Sequence, residues 1–577
     1  MRRTKIICTI GPASESRERI QQLLTAGMNV ARLNFSHGTH EEHGVRISDL
    51  KEEAAKAGKY LGILLDTKGP EIRTGMVPET GIILTNAAEF ILDTKSALGS
   101  SERVGITYPE LWQDVVPGSH ILIDDGQLDL EVISVQQEQI KTRVCNGGIL
   151  KSQKGVNVPG VSIRLPGVTE KDIEDIRFGV TQGIDFIAAS FTRKASDILA
   201  VRRIVEEMGA TVQIIAKIES QEGINNLDSI LEVVDGLMVA RGDLGVEVPV
   251  EEVPVYQKEM IQKCNLLGKP VIVATQMLDS MIRQPRPTRA ETSDVANAIL
   301  DGADAIMLSG ETAAGQFPIE AVRMMDKIAK RTETTLLETK ATRHPHLNVA
   351  ESISYASYSI AGDLNATAIL TPTQSGITAR MISKYRPKAL IVAATPFPEV
   401  ARKLALQWGI EPLVVPESPG TDQLLSVAVT AALDKRYIRT GDIVVITAGV
   451  PVGKVGTTNM IKVQVVGGIL AKGKGIGRKS YMGTARMVHQ PEHDTFNKGD
   501  ILVACSTDAR YVPLMALAGA LVIQESGLTS HAAIAALEYG IPAIIGLPEI
   551  MTTISEGQRI TVDAFAGVIY EGTVSIL

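Results

Sequence analysis

Aromatic residues are scarce in this chain of 577 residues: Phe, Trp and Tyr make up 4% of it, against a hydrophobic fraction of 44%. Its cores must therefore be built mostly from Val, Ile, Leu and Ala, a composition that suits parallel strands buried on both faces. Cysteine is scarcer still. Cys8, Cys145, Cys264 and Cys505 lie far apart and form no Cys-x-x-Cys pair. That spacing argues against a disulfide framework or a structural zinc knuckle, and it fits a reduced, cytoplasmic protein. Long apolar runs are missing too: each is broken by Gly or charge before it spans a bilayer. The start, Met1-Arg2-Arg3-Thr4-Lys5-Ile6, is basic with no apolar stretch after it, so no signal peptide is expected. An excess of positive charge is also absent. The formal net charge is −8 and no segment carries a basic stripe, which argues against a nucleic-acid partner. An anionic small substrate stays open, because a local group of Lys and Arg holds phosphate even within an acidic protein.

The length is too great for one core, and three or four domains are expected. Over the first 340 residues short apolar runs alternate with amphipathic helical stretches. The runs cover 5–10, 28–35, 61–67, 185–190, 212–218, 236–240, 270–275 and 305–309. Helical patterns follow most of them, for example at 171–180, 195–208, 252–267 and 289–299. Eight such units predict an α/β fold with a (β/α)8 barrel, whose active site lies at the C-terminal ends of the strands. One connection departs from the pattern. Residues 70–166 are rich in Val, Ile and Thr and in turn signals such as Pro117-Gly118, Asp125-Gly126 and Asn146-Gly147-Gly148. They predict an all-β domain inserted in a βα loop, hanging over the barrel mouth as a lid. Its edges carry Arg73 and Lys154, cations that a lid brings down on a phosphate.

The barrel is thus expected at 1–69 and 167–340, with the lid at 70–166. Residues 341–473 alternate strand and helix again and predict a doubly wound α/β regulatory domain. A small C-terminal α/β appendage is expected at 474–577. Lys472-Gly473-Lys474-Gly475-Ile476-Gly477, ahead of it, reads as a linker.

Polar residues crowd the predicted ends of six barrel strands: Arg32-Leu33-Asn34-Phe35-Ser36, Asp66-Thr67-Lys68, Lys217-Ile218-Glu219, Arg241-Gly242-Asp243, Thr275-Gln276 and Ser309-Gly310-Glu311. One such group is usually a salt bridge at a strand end. Six converging groups are costly to desolvate without a ligand. Glu219 and Asp243 are carboxylates on neighbouring strands, and two carboxylates with few other ligands fit Mg²⁺ or Mn²⁺. Lys217 precedes Glu219 by two residues, so both point to one side of the strand. A lysine beside a metal that bridges phosphate points to phosphoryl transfer, which needs positioning and positive charge more than covalent catalysis. A Schiff-base lysine is the alternative, although it usually wants a pocket without adjacent acids. The glycines of Arg241-Gly242-Asp243-Leu244-Gly245 let backbone N–H groups approach a carboxylate. Asn34, Ser36, Asp66 and Thr67 form an oxygen-rich cluster that suits K⁺, and that ordinary turn hydrogen bonding fits equally.

Several strings of this sequence resemble the pyruvate kinase family. They are Lys5-Ile6-Ile7-Cys8-Thr9-Ile10-Gly11-Pro12, Asn34-Phe35-Ser36-His37-Gly38, Leu65-Asp66-Thr67-Lys68-Gly69-Pro70-Glu71-Ile72-Arg73, Lys217-Ile218-Glu219, Met238-Val239-Ala240-Arg241-Gly242-Asp243, Ala274-Thr275-Gln276-Met277-Leu278 and Met307-Leu308-Ser309-Gly310-Glu311-Thr312. The resemblance spans roughly residues 1–470, and strings this long and ordered do not arise by chance. It implies transfer of a phosphoryl group from phosphoenolpyruvate to ADP, giving pyruvate and ATP, in a cytoplasmic homotetramer. Carried over by position, Arg32 contacts substrate phosphate, and Asn34, Ser36, Asp66 and Thr67 hold K⁺. Asn34, Arg73 and Lys154 face the nucleotide. Lys217 stabilises the transferring group, and Glu219 and Asp243 hold Mg²⁺ (or Mn²⁺). Gly242, Asp243 and Thr275 hold the substrate carboxylate, with Thr275 near the methylene face of the enolate. Ser309 and Glu311 belong to a supporting proton network. Members with Glu at position 71 tend to need K⁺, and Glu71 stands here.

Thr371-Pro372-Thr373-Gln374-Ser375-Gly376-Ile377-Thr378 ends a predicted strand and opens a helix. Its hydroxyls and glycine read either as a phosphate cradle or as a capped helix. The resemblance makes Thr371, Thr373, Ser375, Gly376 and Thr378 an effector site for a sugar phosphate or nucleotide. Leu521-Val522-Ile523-Gln524-Glu525-Ser526-Gly527-Leu528-Thr529-Ser530-His531-Ala532-Ala533 is similar to the phosphohistidine domain of phosphoenolpyruvate-utilising enzymes, in which His531 would carry phosphate. Two departures stand against it: Ser526 replaces the usual Gly, and no nucleotide-grasp domain accompanies it. An appendage that supports assembly or regulation is the plainer reading. The competing functions are a metal-dependent lyase or aldolase acting on pyruvate or phosphoenolpyruvate, a phosphocarrier, and a catalytically dead regulator.

Overall fold

The computed structural model describes residues 1–96, 98–136, 138–336, 348–418, 420–450 and 458–574. The expected domain junction at 340/341 lies outside these. The chain divides into two compact units, Met1–Arg343 with Phe397–Pro412, and His344–Pro396 with Leu413–Leu577.

The first unit is built on a closed barrel of eight parallel strands, as the sequence predicts. They are β1 (Lys5–Thr9), β2 (Val30–Asn34), β3 (Gly62–Asp66), β4 (Phe186–Ala189), β5 (Gln213–Ile218), β6 (Gly236–Ala240), β7 (Val271–Ala274) and β8 (Ala305–Leu308). Each pairs with the next in sequence, and β8 closes on β1 through Lys5↔Ala305 to Cys8↔Leu308. Alternation along each strand sorts the side chains into two cores. Ile7, Val30, Leu64, Ile215 and Met238 fill the barrel interior, and Leu406 joins them. Ile6, Cys8, Ala31 and Ile63 pack outward against the helices. The helices start where the sequence signals them. Thr39/Glu42, Thr169/Asp172 and Thr288/Glu291 form reciprocal capping boxes on His40–Lys56, Glu170–Thr181 and Arg289–Asp301. The segment Phe397–Pro412 belongs to this unit because Trp408 is buried and Arg402 pairs with Asp185 at 2.9 Å.

Between β3 and β4 the chain makes a seven-stranded sheet and a two-stranded ribbon around a separate core that includes Phe90, Leu92, Ile121 and Leu130. Strand Gly155–Asn157 pairs with Ile72–Arg73 on one side and His120–Ile123 on the other. This is the β-rich insertion that the turn signals predict.

In the second unit Leu390–Thr395, Ala368–Pro372 and Ile443–Gly449 are parallel neighbours, and Thr458–Val465 adds an antiparallel strand. A mixed eight-stranded sheet follows, running from Ile469–Lys472 at one edge to Lys474–Ile476 at the other. The linker expected at 472–477 is therefore a correction. Ile469–Lys472 pairs with Val568–Glu571, and Lys474–Ile476 pairs with Ala543–Ile545. Gly473 and Gly475 are there because neighbouring backbone passes close: a Cβ on Gly475 would lie 1.9 Å from the Ala564 carbonyl oxygen.

Candidate active site

The C-terminal ends of β2, β3, β4 and β5 bring one buried charge cluster together. Register places Asn34 beside Asp66, and Asp66 beside Ala188, so side chains after these positions share the barrel mouth. Asp66 is 1% exposed and receives three partners. Arg32 Nε donates to its Oδ2 at 2.6 Å, Lys217 Nζ pairs with Oδ1 at 3.1 Å, and Ser190 Oγ lies 3.1 Å from Oδ1. Lys217 also reaches Glu219 Oε1 at 3.0 Å and Ser190 Oγ at 2.7 Å. Glu219 Oε2 accepts from the Phe191 backbone N–H at 2.6 Å. Arg32 Nη1 donates to Thr9 Oγ1 at 2.9 Å.

Burial and pairing oppose one another here. Burial alone would raise the Asp66 carboxyl, but Arg32 and Lys217 outweigh it and hold it below the ordinary carboxylate range. Burial alone would lower the Lys217 ammonium, but Asp66 and Glu219 hold it above the usual lysine value. Glu219 goes the other way. Burial raises it, Lys217 opposes, and the nearby Asp243 adds to the rise. Asp125 is raised as well, first by burial and then by Asp243 and Asp124. These acids crowd a cavity of about 700 Å³ between barrel and insertion, lined by Glu219, Asp243, Asp125, Arg73 and Lys154 among others. Crowded carboxylates of this kind fit a divalent ion, which Glu219 and Asp243 would hold.

The ends of β6 and β7 meet at Thr275. Its φ is +68° and that of Gln276 is +53°, conformations that cost about 1–3 kcal/mol each for residues other than glycine and concentrate at functional sites. Thr275 Oγ1 accepts from the Gly242 N–H at 2.8 Å and donates to the Ala274 carbonyl at 2.6 Å. The nearest atoms to a Cβ on Gly242 would be those of Thr275, at ordinary contact distance. Protein packing at Thr275 thus does not by itself demand glycine at 242.

Other predicted residues take different places. Asn34 Oδ1 caps the Ser36 N–H at 3.1 Å, and Thr67 Oγ1 accepts from the Ser190 N–H at 3.1 Å, so turn bonding is part of their role. Arg73 and Lys154 line the cavity from the insertion, engaged by Glu71 at 2.7 Å and Asp124 at 2.8 Å. Arg241 pairs with Asp294 at 2.7 Å and bonds the Thr275 carbonyl at 2.9 Å, which makes it a brace for β7. Glu311, buried and raised by that burial, accepts from the Leu278 and Ser309 N–H groups at 3.0 and 2.8 Å. It ties the β7 and β8 loops together. Ser190 and Phe191 are not among the site residues that the sequence suggests, although Ser190 ends a predicted strand. Their strand ends in Ala-Ser-Phe, which carries no charge, although the rule that barrel chemistry sits at strand ends points to Ser190 as well.

The remaining candidates lie in the second unit. Thr371 Oγ1 donates to the Val392 carbonyl at 3.3 Å, Thr378 and Thr458 hydroxyls pair at 2.7 Å, and Thr373 Oγ1 accepts from the Gly376 N–H at 2.9 Å. His531 begins the helix His531–Tyr539, capped by Ser530, with Nδ1 3.1 Å from Thr507 Oγ1.

Three family profiles match: "Pyruvate kinase, barrel domain" over residues 1–322, "Pyruvate kinase, alpha/beta domain" over 351–464, and "PEP-utilising enzyme, mobile domain" over 496–567. Pyruvate kinases of Geobacillus stearothermophilus and Bacillus licheniformis are each 54% identical, over 585 and 587 residues, covering 100% of both chains. The crystal structure of a pyruvate kinase from Cryptosporidium parvum aligns with TM-score 0.75 at 42% identity, covering 80% of this chain and 96% of that one. With its barrel, its charge cluster and this full-length likeness, the chain belongs to the pyruvate kinase family, a family of phosphotransferase enzymes.

Proposed function

We infer that the barrel mouth transfers the phosphoryl group of phosphoenolpyruvate to ADP. One observation carries the reading: Lys217 is held charged between Asp66 and Glu219, at the edge of a cavity walled by acids of the barrel and the insertion together with Arg73 and Lys154. Fixed positive charge aimed at a transferring phosphoryl group is the main protein contribution to such chemistry. Lys217 and Arg32 meet the group's oxygens, and Arg73 and Lys154 meet the nucleotide phosphates. The Gly242 and Asp243 backbone and Thr275 orient the substrate carboxylate. Thr275, fixed by its bonds to Gly242 and Ala274, defines the face on which the enolate carbon takes its proton. Mg²⁺ or Mn²⁺ on Glu219 and Asp243 supplies charge neutralisation when bound, and K⁺ on Asn34, Ser36, Asp66 and Thr67 adds to it. A coupled assay with phosphoenolpyruvate, ADP, Mg²⁺ and K⁺ tests the reading. Turnover is expected from the wild type and a loss of at least about a thousandfold from Lys217→Met, about 4 kcal/mol of transition-state stabilisation. Full activity in that variant, or lyase products in place of pyruvate and ATP, overturns it.

An effector site at Thr373, Ser375 and Gly376 completes the reading. Thr371 and Thr378 have hydroxyls committed to internal bonds, so they shape the loop and leave contact to their neighbours. Ser375→Glu is expected to abolish activation by a sugar phosphate or nucleotide while basal turnover stays within about twofold, a cost under 0.5 kcal/mol. Undiminished activation in that variant rules the site out.

A further inference from the structure

The insertion carries three side chains of metal-binding type that the catalytic site does not use. His120, Asp129 and Cys145 come from three adjacent strands, His120–Ile123, Leu128–Gln136 and Gln139–Asn146. Their ligand atoms all lie within 4.8 Å of one another, and His120 Nδ1 is 2.8 Å from Asp129 Oδ1. The ladder explains how they meet. Leu122 pairs with Asp129, and His120 lies two residues away on the same outward face. On the far side the pairing of Gln139–Asn146 with Leu128–Gln136 slips between Val144 and Asn146. Cys145 is the extra residue at that irregularity, and a bulge of this kind re-aims a side chain. Both Cys145 and Asn146 end up exposed opposite Asp129.

We propose that His120, Asp129 and Cys145 bind a zinc-class divalent transition ion on the outer face of the insertion's sheet. An imidazole, a carboxylate and a thiolate form a borderline-soft donor set that suits such an ion and serves Mg²⁺ poorly. Tetrahedral zinc spaces its ligand atoms about 3.5 Å apart, so the His120–Asp129 pair, now at 2.8 Å, opens slightly and the other pairs, within 4.8 Å, close by at most about 1.3 Å on binding. The ion takes His120 Nδ1, one Asp129 oxygen and Cys145 Sγ, with water in the fourth position. The thiol proton leaves to solvent as the Sγ–metal bond forms. Glu131 lies on the same face but is paired with Arg143 at 3.9 Å, so the three ligands carry the site. Bound there, the ion cross-links three neighbouring strands. The catalytic pair differs in offering only oxygen ligands.

Co²⁺ added to the full-length protein under saturating Mg²⁺ tests the proposal, because thiolate coordination gives a charge-transfer absorption in the near ultraviolet that oxygen ligands do not. One equivalent is expected to produce the band, and Zn²⁺ is expected to displace it. Cys145→Ser is expected to remove the band while pyruvate formation with Mg²⁺ persists, which also reports that the variant folds. His120→Ala is expected to weaken Co²⁺ binding by roughly tenfold or more, since even residues behind metal ligands cost that much. No band in the wild type, or an unchanged band in Cys145→Ser, overturns the assignment; the second result would move it to Cys505, the other exposed thiol.

Discussion

Ser190 has one hydroxyl proton and three polar neighbours: Lys217 Nζ at 2.7 Å, the Thr67 carbonyl at 2.7 Å and Asp66 Oδ1 at 3.1 Å. An ammonium only donates, so the hydroxyl accepts from Lys217 and gives its own proton to Thr67 or Asp66. Ser190 therefore positions the Lys217 head. A hydrogen bond to a charged group contributes about 1.5–3 kcal/mol. If that is realised as the phosphoryl group moves, Ser190→Ala lowers kcat by about ten- to a hundredfold. Steady-state kinetics should show the loss in kcat more than in the KM for phosphoenolpyruvate, with the thermal midpoint little changed. An unchanged kcat would remove Ser190 from the machinery. This residue also marks where sequence reading stops at this scale. Lys217 and Glu219 were legible because two-residue spacing puts both on one face of a strand. Ser190 was not, since a lone serine says nothing until the fold shows what surrounds it.

At the scale of elements, the barrel strands were legible because burial on both faces leaves continuous apolar runs, and the insertion because its turns carry Gly, Pro, Asn and Asp. The stretch 472–477 misled for a physical reason. Gly alternating with Lys looks like solvated coil, yet here glycine admits neighbouring backbone and lysine lines a sheet edge. Only the fold distinguishes a glycine chosen for flexibility from one chosen for space. Gly475→Ala separates the two. A linker would tolerate it, whereas a Cβ 1.9 Å from the Ala564 carbonyl oxygen forces the strands apart. We expect a loss of about 1–3 kcal/mol, the usual cost of overpacking. Chemical denaturation should show it in the second unit, with the barrel's activity retained. Unaltered stability would return the segment to linker status.

For the whole molecule the question is how a chain of net charge −8 binds two polyanions. The cavity does not escape that sign. Its lining includes Glu71, Asp124, Asp125, Glu219, Asp243 and Glu247 against Arg73, Lys154 and Arg193. Glu71 further engages Arg73 at 2.7 Å, and Asp124 engages Lys154 at 2.8 Å, so the insertion's cations face part of the cavity already neutralised. Phosphoenolpyruvate and ADP would add more negative charge to this low-dielectric space, where like charges repel far more strongly than in water. Cations bound from solution together with the substrates would supply the positive charge that this lining lacks. Turnover should therefore vanish on chelation of divalent ions and return with Mg²⁺ or Mn²⁺. It should also fall by at least about tenfold, about 1.4 kcal/mol, when Na⁺ or a large organic cation replaces K⁺. The same electrostatics makes Glu71 the place to alter that requirement. Glu71→Lys releases Arg73 and adds a fixed charge of the sign K⁺ supplies, so its activity should depend less on K⁺ than that of the wild type. Equal activity of the wild type in K⁺ and in an organic cation would mean that the protein's own lysines and arginines suffice, and the charge argument for this cavity would fail.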